Sequence, residues 1–585
     1  MKFPKRWFPT GGKAAPLLIH NQKSKIRPEG GGSLFRCAEI MEWFIVVQKI
    51  FSGGVIMKNF VSLMLIFALG GALSACTSSA PKTDGIPVAR VTGGQVEGMV
   101  ADGLSIFKGI PFAAPPVGEL RWKAPQPVIP WTDVKRTVAF GNSCMQDLGM
   151  ARSMGDTSEI SEDCLYLNVW SPATGASDSL PVLVWIYGGG FTGGMTSVPM
   201  YDGEKLAKKG VVVVSIAYRV GPFGFLAHSE LSAESGKGSG NYGLEDMIAG
   251  LEWVKNNVGQ FGGDPSKVTI FGHSAGGMAV SMLAASPQAA GLFRGVIAMS
   301  GASMAPLRRE TSGGTGSRVT ALPLAETEGA AFIGKLGAAD IAAARGINAE
   351  EIQKSIAGSG VSFRPVADGH IIIDDQYLLY QAGRFNDTPI LLGSTSDEAA
   401  SFGARKTDVA EFVKQVNSSY GSDAADILAA YPHADDEQAS LSSKQLSRDN
   451  SFGWNAWTWA RIQTQNGKSK AFVYYFDHHA PTAPDGAGHG SDVPYAFQTL
   501  AGRDGAPPES ADAALSDVIS SYWVNFTRTG DPNADGLSAW PAYSDALPKA
   551  MVFRNGTGAA EEYPNMDKLQ AMDKYFTRLR GWLKE

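Results

Sequence analysis

Ser274 stands between two glycines in the run 272–276, which reads Gly-His-Ser-Ala-Gly, and this run is the segment best suited to chemistry. It follows the β-branched run 268–271 and precedes a helix-compatible stretch, 278–285. A sharp strand-to-helix turn would present the serine hydroxyl at the top of a sheet, and glycines are needed where such a turn crowds its neighbours. A hydroxyl is a weak nucleophile, so this interpretation requires a histidine base, an acid and an oxyanion hole.

Three consecutive glycines, 188–190, follow a predicted buried strand upstream of Ser274. Consecutive glycines after a strand let backbone N–H groups point at a single oxygen, as an oxyanion hole requires. The alternative is a flexible glycine loop, which the position directly after a strand disfavours. We therefore predict that the N–H groups of Gly189, Gly190 and Ala275 form the oxyanion hole.

Two adjacent carboxylates, Asp397 and Glu398, come just past another predicted strand. Either could orient a histidine, or both could be charges at a helix N-terminus, and spacing alone does not separate them. For the base, His489 lies between glycines in the loop 485–492, which allows the imidazole to be presented. The order serine, acid, histidine is that of α/β-hydrolases, so His489 is the preferred base among the eight histidines.

The elements that must position these residues alternate between β-branched runs and helical patterns. Near-continuous apolar strands separated by helices predict a large, mostly parallel sheet covered on both faces. The predicted strands are 182–187, 211–217, 267–271, 295–299, 389–393 and 471–476. Helical patterns in 302–385 and 400–465 are predicted to be insertions over the C-terminal ends of the strands, where they would shape a substrate pocket.

The first 75 residues have a different character from the rest of the 585-residue chain. Residues 57–75 combine a short basic start, an apolar core and small residues before Cys76, the pattern of a secretory signal. The ending Leu-Ser-Ala-Cys is similar to a bacterial lipobox, so Cys76 is predicted to be lipidated, with an ordinary secretory signal as the alternative. We expect residues 1–56 to be an upstream extension, with translation starting at Met57, and residues 76–87 to be a tether.

Charge and cysteine usage agree with export. Loss of residues 1–75 removes ten basic and three acidic side chains and changes the net charge from −6 to −13, which gives nucleic-acid binding no electrostatic support. Cys144 and Cys164 remain as an isolated pair, and in an oxidising compartment they are expected to form a disulfide. Their spacing is not that of a zinc site. We expect the protein to face the periplasm or the cell exterior, with contact to the membrane only through the lipid anchor.

Together these motifs resemble the type-B carboxylesterase family, from about residue 88 to the C-terminus. The similarity is carried by segments in the family's order: 107–113, 161–168, 188–191, 218–219 with 224–225, 241–244, 264–277, 397–398, 489–492, and the positions 523, 526, 530, 532 and 533. The resemblance implies one α/β-hydrolase domain over 88–585, selects Glu398 over Asp397 as the acid, and supports the Cys144–Cys164 disulfide. It implies a serine esterase that acts on a small-molecule ester through Ser274, His489 and Glu398 and that requires no metal or organic cofactor.

The sequence departs from the family pattern at two places. His273 stands where the family usually has a glutamate, so a preference for cationic substrates is not implied. We do not expect His273 to be the base, because its side chain should leave the backbone beside Ser274 in the wrong direction, away from the site. Residues 145–163 contain no tryptophan, so the cation–π site of cholinesterases is missing and a cholinesterase is disfavoured. An amidase or lipase using the same triad is the first alternative, and a non-catalytic binding protein of the same fold is the second. The sequence leaves acyl length, alcohol group and oligomeric state open.

Overall fold

The architecture is that of a computed structural model, which describes residues 87–582 except 148, 150–151, 153–154, 156–157, 311–318, 404–405, 480–482, 484 and 501–507. The described residues belong to one compact unit, 85–585. The upstream extension, the signal segment 57–75, the lipidation site Cys76 and nearly all of the tether lie outside the described residues.

An 11-stranded sheet forms the centre of the molecule. Its strands, in chain order, are β1 (Met99–Ala101), β2 (Leu104–Pro111), β3 (Tyr166–Ser171), β4 (Leu180–Ile186), β5 (Val212–Ile216), β6 (Gly263–His273), β7 (Gly295–Met299), β8 (Ile390–Thr395), β9 (Ala471–Phe476), β10 (Lys549–Arg554) and β11 (Thr557–Glu562). Across the sheet they are ordered β11-β10-β9-β8-β7-β6-β4-β5-β3-β2-β1. The strands from β5 to β10 in this order are parallel.

The remaining strands, β1 to β3 at one edge and β11 at the other, pair antiparallel with their neighbours. The sheet is therefore mixed overall, and the predicted parallel part is its centre. Smaller pairings outside it join Val88–Val91 with Gly94–Glu97 and Lys135–Arg136, Ser143–Cys144 with Ile160–Ser161, and Thr320–Ala321 with Val366–Ala367.

Helices connect the strands in the predicted alternation. In chain order they are α1 (Glu204–Ala207), α2 (Gly221–Phe225), α3 (Ser229–Ser235), α4 (Tyr242–Asn257), α5 (Ala275–Ala285), α6 (Leu322–Lys335), α7 (Ile341–Arg345), α8 (Ala349–Ser355), α9 (Gln376–Gln381), α10 (Val409–Tyr420), α11 (Ala424–Ala430), α12 (Asp436–Arg448), α13 (Trp454–Asn466), α14 (Val493–Phe497), α15 (Ser510–Thr529) and α16 (Met566–Trp582). A π-helical turn, Asp449–Gly453, joins α12 to α13. Helices α6 to α9 and α10 to α13 occupy the two predicted insertions.

Both faces of the sheet are covered. A Cβ on Gly272 of β6 would point at Gly276 of α5, whereas a Cβ on Gly295 of β7 would point at Phe526 of α15. Gly295 pairs in register with Thr269, and Thr269 and Gly272 point to opposite faces because side chains alternate along a strand. Helices α5 and α15 therefore lie on opposite faces. Among the described residues, no helix combines the length and the apolar character that a membrane span requires.

Cys144 and Cys164 form a disulfide beside the paired short strands Ser143–Cys144 and Ile160–Ser161. Replacing both cysteines with alanine is expected to lower the free energy of unfolding by about 3 kcal/mol, since the cross-link restricts the unfolded chain. Urea denaturation of the double variant beside the oxidised wild-type protein measures this difference. Equal midpoints and slopes for the two proteins would contradict the prediction.

Candidate active site

Ser274 lies at the junction of β6 and α5 with φ 57° and ψ −123°, a backbone conformation that non-glycine residues rarely adopt. Its N–H donates to the Met299 carbonyl, 2.9 Å away, on the neighbouring strand. A Cβ on Gly272 would lie 2.5 Å from the Gly276 backbone, and a Cβ on Gly276 would lie 2.1 Å from the Ile186 carbonyl oxygen. The crowding expected at this turn is thus present, and it requires glycine on both sides of the serine.

Glu398 and His489 meet beside this turn. The His489 Nδ1 atom is hydrogen-bonded to the Glu398 Oε2 atom, and the Glu398 side chain is fully buried. The other Glu398 oxygen accepts the Thr395 N–H at 2.8 Å. Both carboxylate oxygens are therefore held, and one of them fixes the orientation of the imidazole.

Asp397 faces a different partner. Its Oδ2 atom lies 3.1 Å from the Lys444 Nζ atom, and its backbone N–H donates to the Ala487 carbonyl at 2.8 Å. The two adjacent carboxylates that sequence spacing could not separate thus point to different groups, and the structure brings Glu398 to the histidine.

The remaining ring nitrogen of His489, Nε2, is buried and has no hydrogen-bond partner among the described residues. Ser274 and His489 line the same cavity, although the structure records no hydrogen bond between their side chains. Hydrogen bonds of this type are often long before substrate binds and tighten in the complex. The Nε2 atom is therefore available to a hydroxyl or to a substrate atom that enters the cavity.

The glycine loop after β4 lies against the serine turn. Gly189 and Gly190 have φ of +121° and +66°, and their N–H groups donate to no acceptor in the described part of the chain. The Ala275 N–H begins helix α5, where the first amides have no intrahelical acceptor. The three predicted oxyanion donors are thus unengaged amides near Ser274.

Sequence reasoning assigned no role to Gly188 itself. A Cβ at this position would lie 2.9 Å from the Ser274 Cβ atom and 2.5 Å from the His273 carbonyl oxygen. Only glycine lets the loop approach the serine so closely. The three-glycine run was the available signal, but the contact joins residues from neighbouring strands and cannot be inferred from spacing.

A cavity of about 1140 Å³ opens over Ser274. Its floor contains the glycine loop and the serine turn, and its walls come from both helical insertions, through Ile356, residues 361–364, Phe402 and Phe452. The rings of Phe402 and Phe452 lie 4.9 and 4.7 Å from the His489 ring, centroid to centroid. The insertions thus shape the pocket as predicted, and the two phenylalanines were not identified from the sequence.

The prediction that the His273 side chain points away from the site is wrong. Its ring lies 4.4 Å from the His489 ring, centroid to centroid, and it lines the same cavity. Burial, with a smaller contribution from His489, holds the pKa of His273 well below its usual range, so this ring is neutral at pH 7. Strand β6 ends in the sharp turn at Ser274. The direction of the backbone at this turn points the His273 side chain toward the loop that carries His489.

Gly490 makes room for the His273 ring. It has φ +80°, and a Cβ there would lie 2.9 Å from the His273 Cε1 atom. Gly490→Ala is expected to lower kcat/KM for ester hydrolysis by about tenfold to a hundredfold, because small displacements of an active-site group are costly. Adding His273→Ala removes the overlap and should restore part of the loss. Kinetics of the two single variants and the double variant measure this coupling; strictly additive losses would show that the His273 contact is not responsible.

Another buried group near the Glu398–His489 pair is Asp492, which belongs to the segment 489–492 and has no role predicted from the sequence. Its carboxyl group is buried and accepts a hydrogen bond from the Tyr474 hydroxyl at 2.7 Å. Burial raises the pKa of Asp492 to about 6, against the opposing effect of that hydrogen bond. No sequence pattern distinguishes this residue, because its burial depends on the packing of β9 against the histidine loop.

The described histidines other than His273 and His489 lie outside the cavity, and several of them have hydrogen-bond partners elsewhere. His478 Nε2 lies 2.6 Å from an Asp512 oxygen, and His228 accepts the Glu230 N–H at the start of α3. His433 bonds to the Tyr431 carbonyl. Among the described residues, no group of three His, Cys, Asp or Glu side chains is arranged to hold a metal ion.

A nucleophile elbow, a histidine held by a buried glutamate and a loop of unengaged amides on a mixed α/β sheet define a serine hydrolase of the α/β-hydrolase class. The chain belongs to the carboxylesterase family, whose model matches residues 85–572.

The chain is similar to characterised esterases over most of its length. It is 35% identical over 504 residues to fumonisin B1 esterase of Sphingopyxis macrogoltabida, covering 82% of this chain and 89% of that protein. It is also 35% identical over 500 residues to para-nitrobenzyl esterase of Bacillus subtilis (strain 168), covering 82% and 97%. A solved PNB esterase structure superposes with a TM-score of 0.72 at 32% identity, over 83% of this chain and all of that one. The protein is therefore a carboxylic ester hydrolase that uses a serine-based mechanism on small-molecule esters, and the amidase, lipase and binding-protein alternatives are not favoured.

Proposed function

We propose that Ser274 is the nucleophile of this esterase, His489 its general base and acid, and Glu398 the residue that orients and stabilises the imidazole. The observation that carries this assignment is the Glu398–His489 hydrogen bond, made by the histidine whose free Nε2 atom belongs to the same cavity as Ser274. The N–H groups of Gly189, Gly190 and Ala275 are the proposed oxyanion hole.

In the proposed acylation step, His489 Nε2 takes the proton of Ser274 as the hydroxyl attacks the ester carbonyl carbon. The carbonyl oxygen becomes negatively charged and is stabilised by the three backbone N–H groups. The tetrahedral intermediate collapses when the bond to the alcohol oxygen breaks, and His489 delivers its proton to that oxygen. Glu398 stabilises the charged imidazolium throughout and is not itself protonated.

Deacylation repeats these steps with water as the nucleophile. His489 takes a proton from water, the resulting hydroxide attacks the acyl carbon, and the Ser274 oxygen leaves with the proton that His489 returns. The products are a carboxylic acid and an alcohol, and the serine is regenerated. The proposal is supported by the cavity lining, which includes Ser274, His489 and the three backbone donors, with Glu398 buried behind His489.

A fluorophosphonate probe tests this assignment because it reacts covalently with an activated serine. The folded protein should be labelled at a single site, and peptide mass spectrometry should locate the label on Ser274. Heat-unfolded protein should not react, since activation depends on the arrangement of His489 and Glu398. Labelling at another serine, or at none in a protein with the expected esterase activity, would overturn the assignment.

We further propose that residues 57–75 direct export and that Cys76 carries a lipid anchor. The support is the sequence pattern of a basic start, an apolar core and small residues before the cysteine. The full-length protein expressed in a bacterial host with labelled palmitate should incorporate the label and sediment with membranes, and Cys76→Ser should abolish both. Export of an unlabelled soluble protein would instead identify an ordinary secretory signal.

A further inference from the structure

Arg364 brings a positive charge to the wall of the cavity. Its Nε atom donates to the Ser362 hydroxyl at 2.8 Å, and in the described part of the chain it forms no ion pair with a carboxylate; the nearby Glu328 is paired with Arg308. The two terminal nitrogens are therefore open to another acceptor. A guanidinium presents these N–H groups as a fork that matches a carboxylate.

The neighbouring Arg308 shows what a paired arginine looks like in the same region. It makes two short bonds to Glu328, of 2.8 and 2.6 Å. Among the described residues, Arg364 has no such partner. Burial lowers the pKa of Arg364, and the positive charge of Arg308 lowers it further. An arginine remains charged even so, and an anion that entered the cavity would compensate this charge.

The position of Arg364 suggests which part of an ester it meets. The leaving alcohol must lie beside His489, which protonates it, and the rings of Phe402 and Phe452 surround that imidazole. The wall that carries Arg364 also contains Ile356, whose Cδ1 atom approaches Gly221 next to the oxyanion loop. An acyl chain that leaves the carbonyl carbon past the oxyanion loop would meet this wall.

Of the described residues that line the cavity, one other carries a charged Asp, Glu, Lys or Arg side chain, and this is Asp147. It is exposed, and one of its oxygens accepts the Gly149 N–H at 2.7 Å. It forms no ion pair with Arg364 in the described residues. Asp147 therefore does not neutralise the arginine.

We propose that Arg364 binds a carboxylate on the acyl part of the substrate, so that the preferred substrates are monoesters of dicarboxylic acids or esters of polycarboxylic acids. This inference rests on the proposed triad, since the triad defines which side of the cavity receives the acyl group. It makes Arg364 a specificity-determining residue of the esterase.

Two esters of nearly equal size test the proposal, monobenzyl glutarate and benzyl valerate, which differ in a terminal carboxylate against a methyl group. The wild-type enzyme should prefer the glutarate. Arg364→Gln should lower the ratio of the two kcat/KM values by about tenfold to a hundredfold, mainly through KM of the glutarate. Arg364→Lys keeps the charge but not the forked arrangement of N–H groups, so its ratio should lie between those of the wild-type enzyme and Arg364→Gln.

Arg309→Gln is the matched control, because it removes the same charge from an exposed position outside the cavity lining and should leave the ratio unchanged. Labelling by fluorophosphonate shows that each variant is folded. An equal loss on both esters in Arg364→Gln would overturn the proposal.

A third ester, 4-carboxybenzyl valerate, carries the charge on the alcohol. If only its hydrolysis depends on Arg364, the assignment to the acyl side is wrong. If the wild-type enzyme hydrolyses benzyl valerate but does not prefer the glutarate, this inference fails while the proposed function stands. If neither ester is hydrolysed and Ser274 is not labelled, the proposed function itself fails.

Discussion

Ser274→Ala is expected to lower kcat/KM for a simple ester by about 10⁵-fold or more, since loss of the nucleophile from a serine triad removes most of the catalytic effect. The unfolding temperature should change little, because the serine is held by its backbone and the smaller alanine keeps the Cβ atom that packs against Gly188. Initial rates on p-nitrophenyl butyrate and thermal denaturation measure the two quantities.

Ser451→Ala is a suitable control for this variant, because Ser451 also lines the cavity and has no proposed role in the chemistry. It should retain most of the activity. Substantial turnover by Ser274→Ala, at a level that fluorophosphonate does not abolish, would rule out Ser274 as the nucleophile.

Glu398→Gln is expected to lower kcat by about 10³- to 10⁴-fold. The amide has nearly the same shape as the carboxylate, but it cannot stabilise the imidazolium and favours the wrong tautomer of His489. The effect should appear in kcat more than in KM, because the imidazolium forms only as the reaction proceeds. Steady-state kinetics over a range of substrate concentrations separate the two parameters.

Asp397→Asn provides the matched control at the adjacent residue. It removes the charge from an ion pair with Lys444, in which the Asp397 and Lys444 side chains are 11% and 30% exposed, and it leaves the Glu398–His489 hydrogen bond in place. Its catalytic rate should stay near that of the wild-type protein. If Asp397→Asn lost more activity than Glu398→Gln, the assignment of the acid would be wrong.

Much of the fold could be predicted from the sequence because the central strands are buried on both faces. The apolar run 471–476 coincides with strand β9, and 295–299 coincides with β7. The glycines of the serine turn were also predictable, since the motif itself encodes a sharp turn. The antiparallel outer strands were harder to predict, because a largely exposed strand such as β1 carries only a weak hydrophobic pattern.

The details of the site depend on contacts that no local pattern encodes. Spacing could not separate Asp397 from Glu398, since adjacent residues share a neighbourhood and differ only in direction. The same problem made the prediction for His273 wrong: the path of the chain at the turn decides where its ring points. The close approach of Gly188 to Ser274 likewise joins segments that are distant in sequence.

The chain order of the site has a consequence for how the protein is made. Ser274 follows β6, Glu398 follows β8, and His489 follows β9, so 91 residues separate the two members of the hydrogen-bonded pair. During synthesis the proposed nucleophile leaves the ribosome first and the proposed base last. A nascent or truncated chain that ends before residue 489 lacks the proposed base, so we expect it to be without triad-based activity however much of its sheet has formed. We therefore expect esterase activity to appear only after the segment that carries His489 has been made.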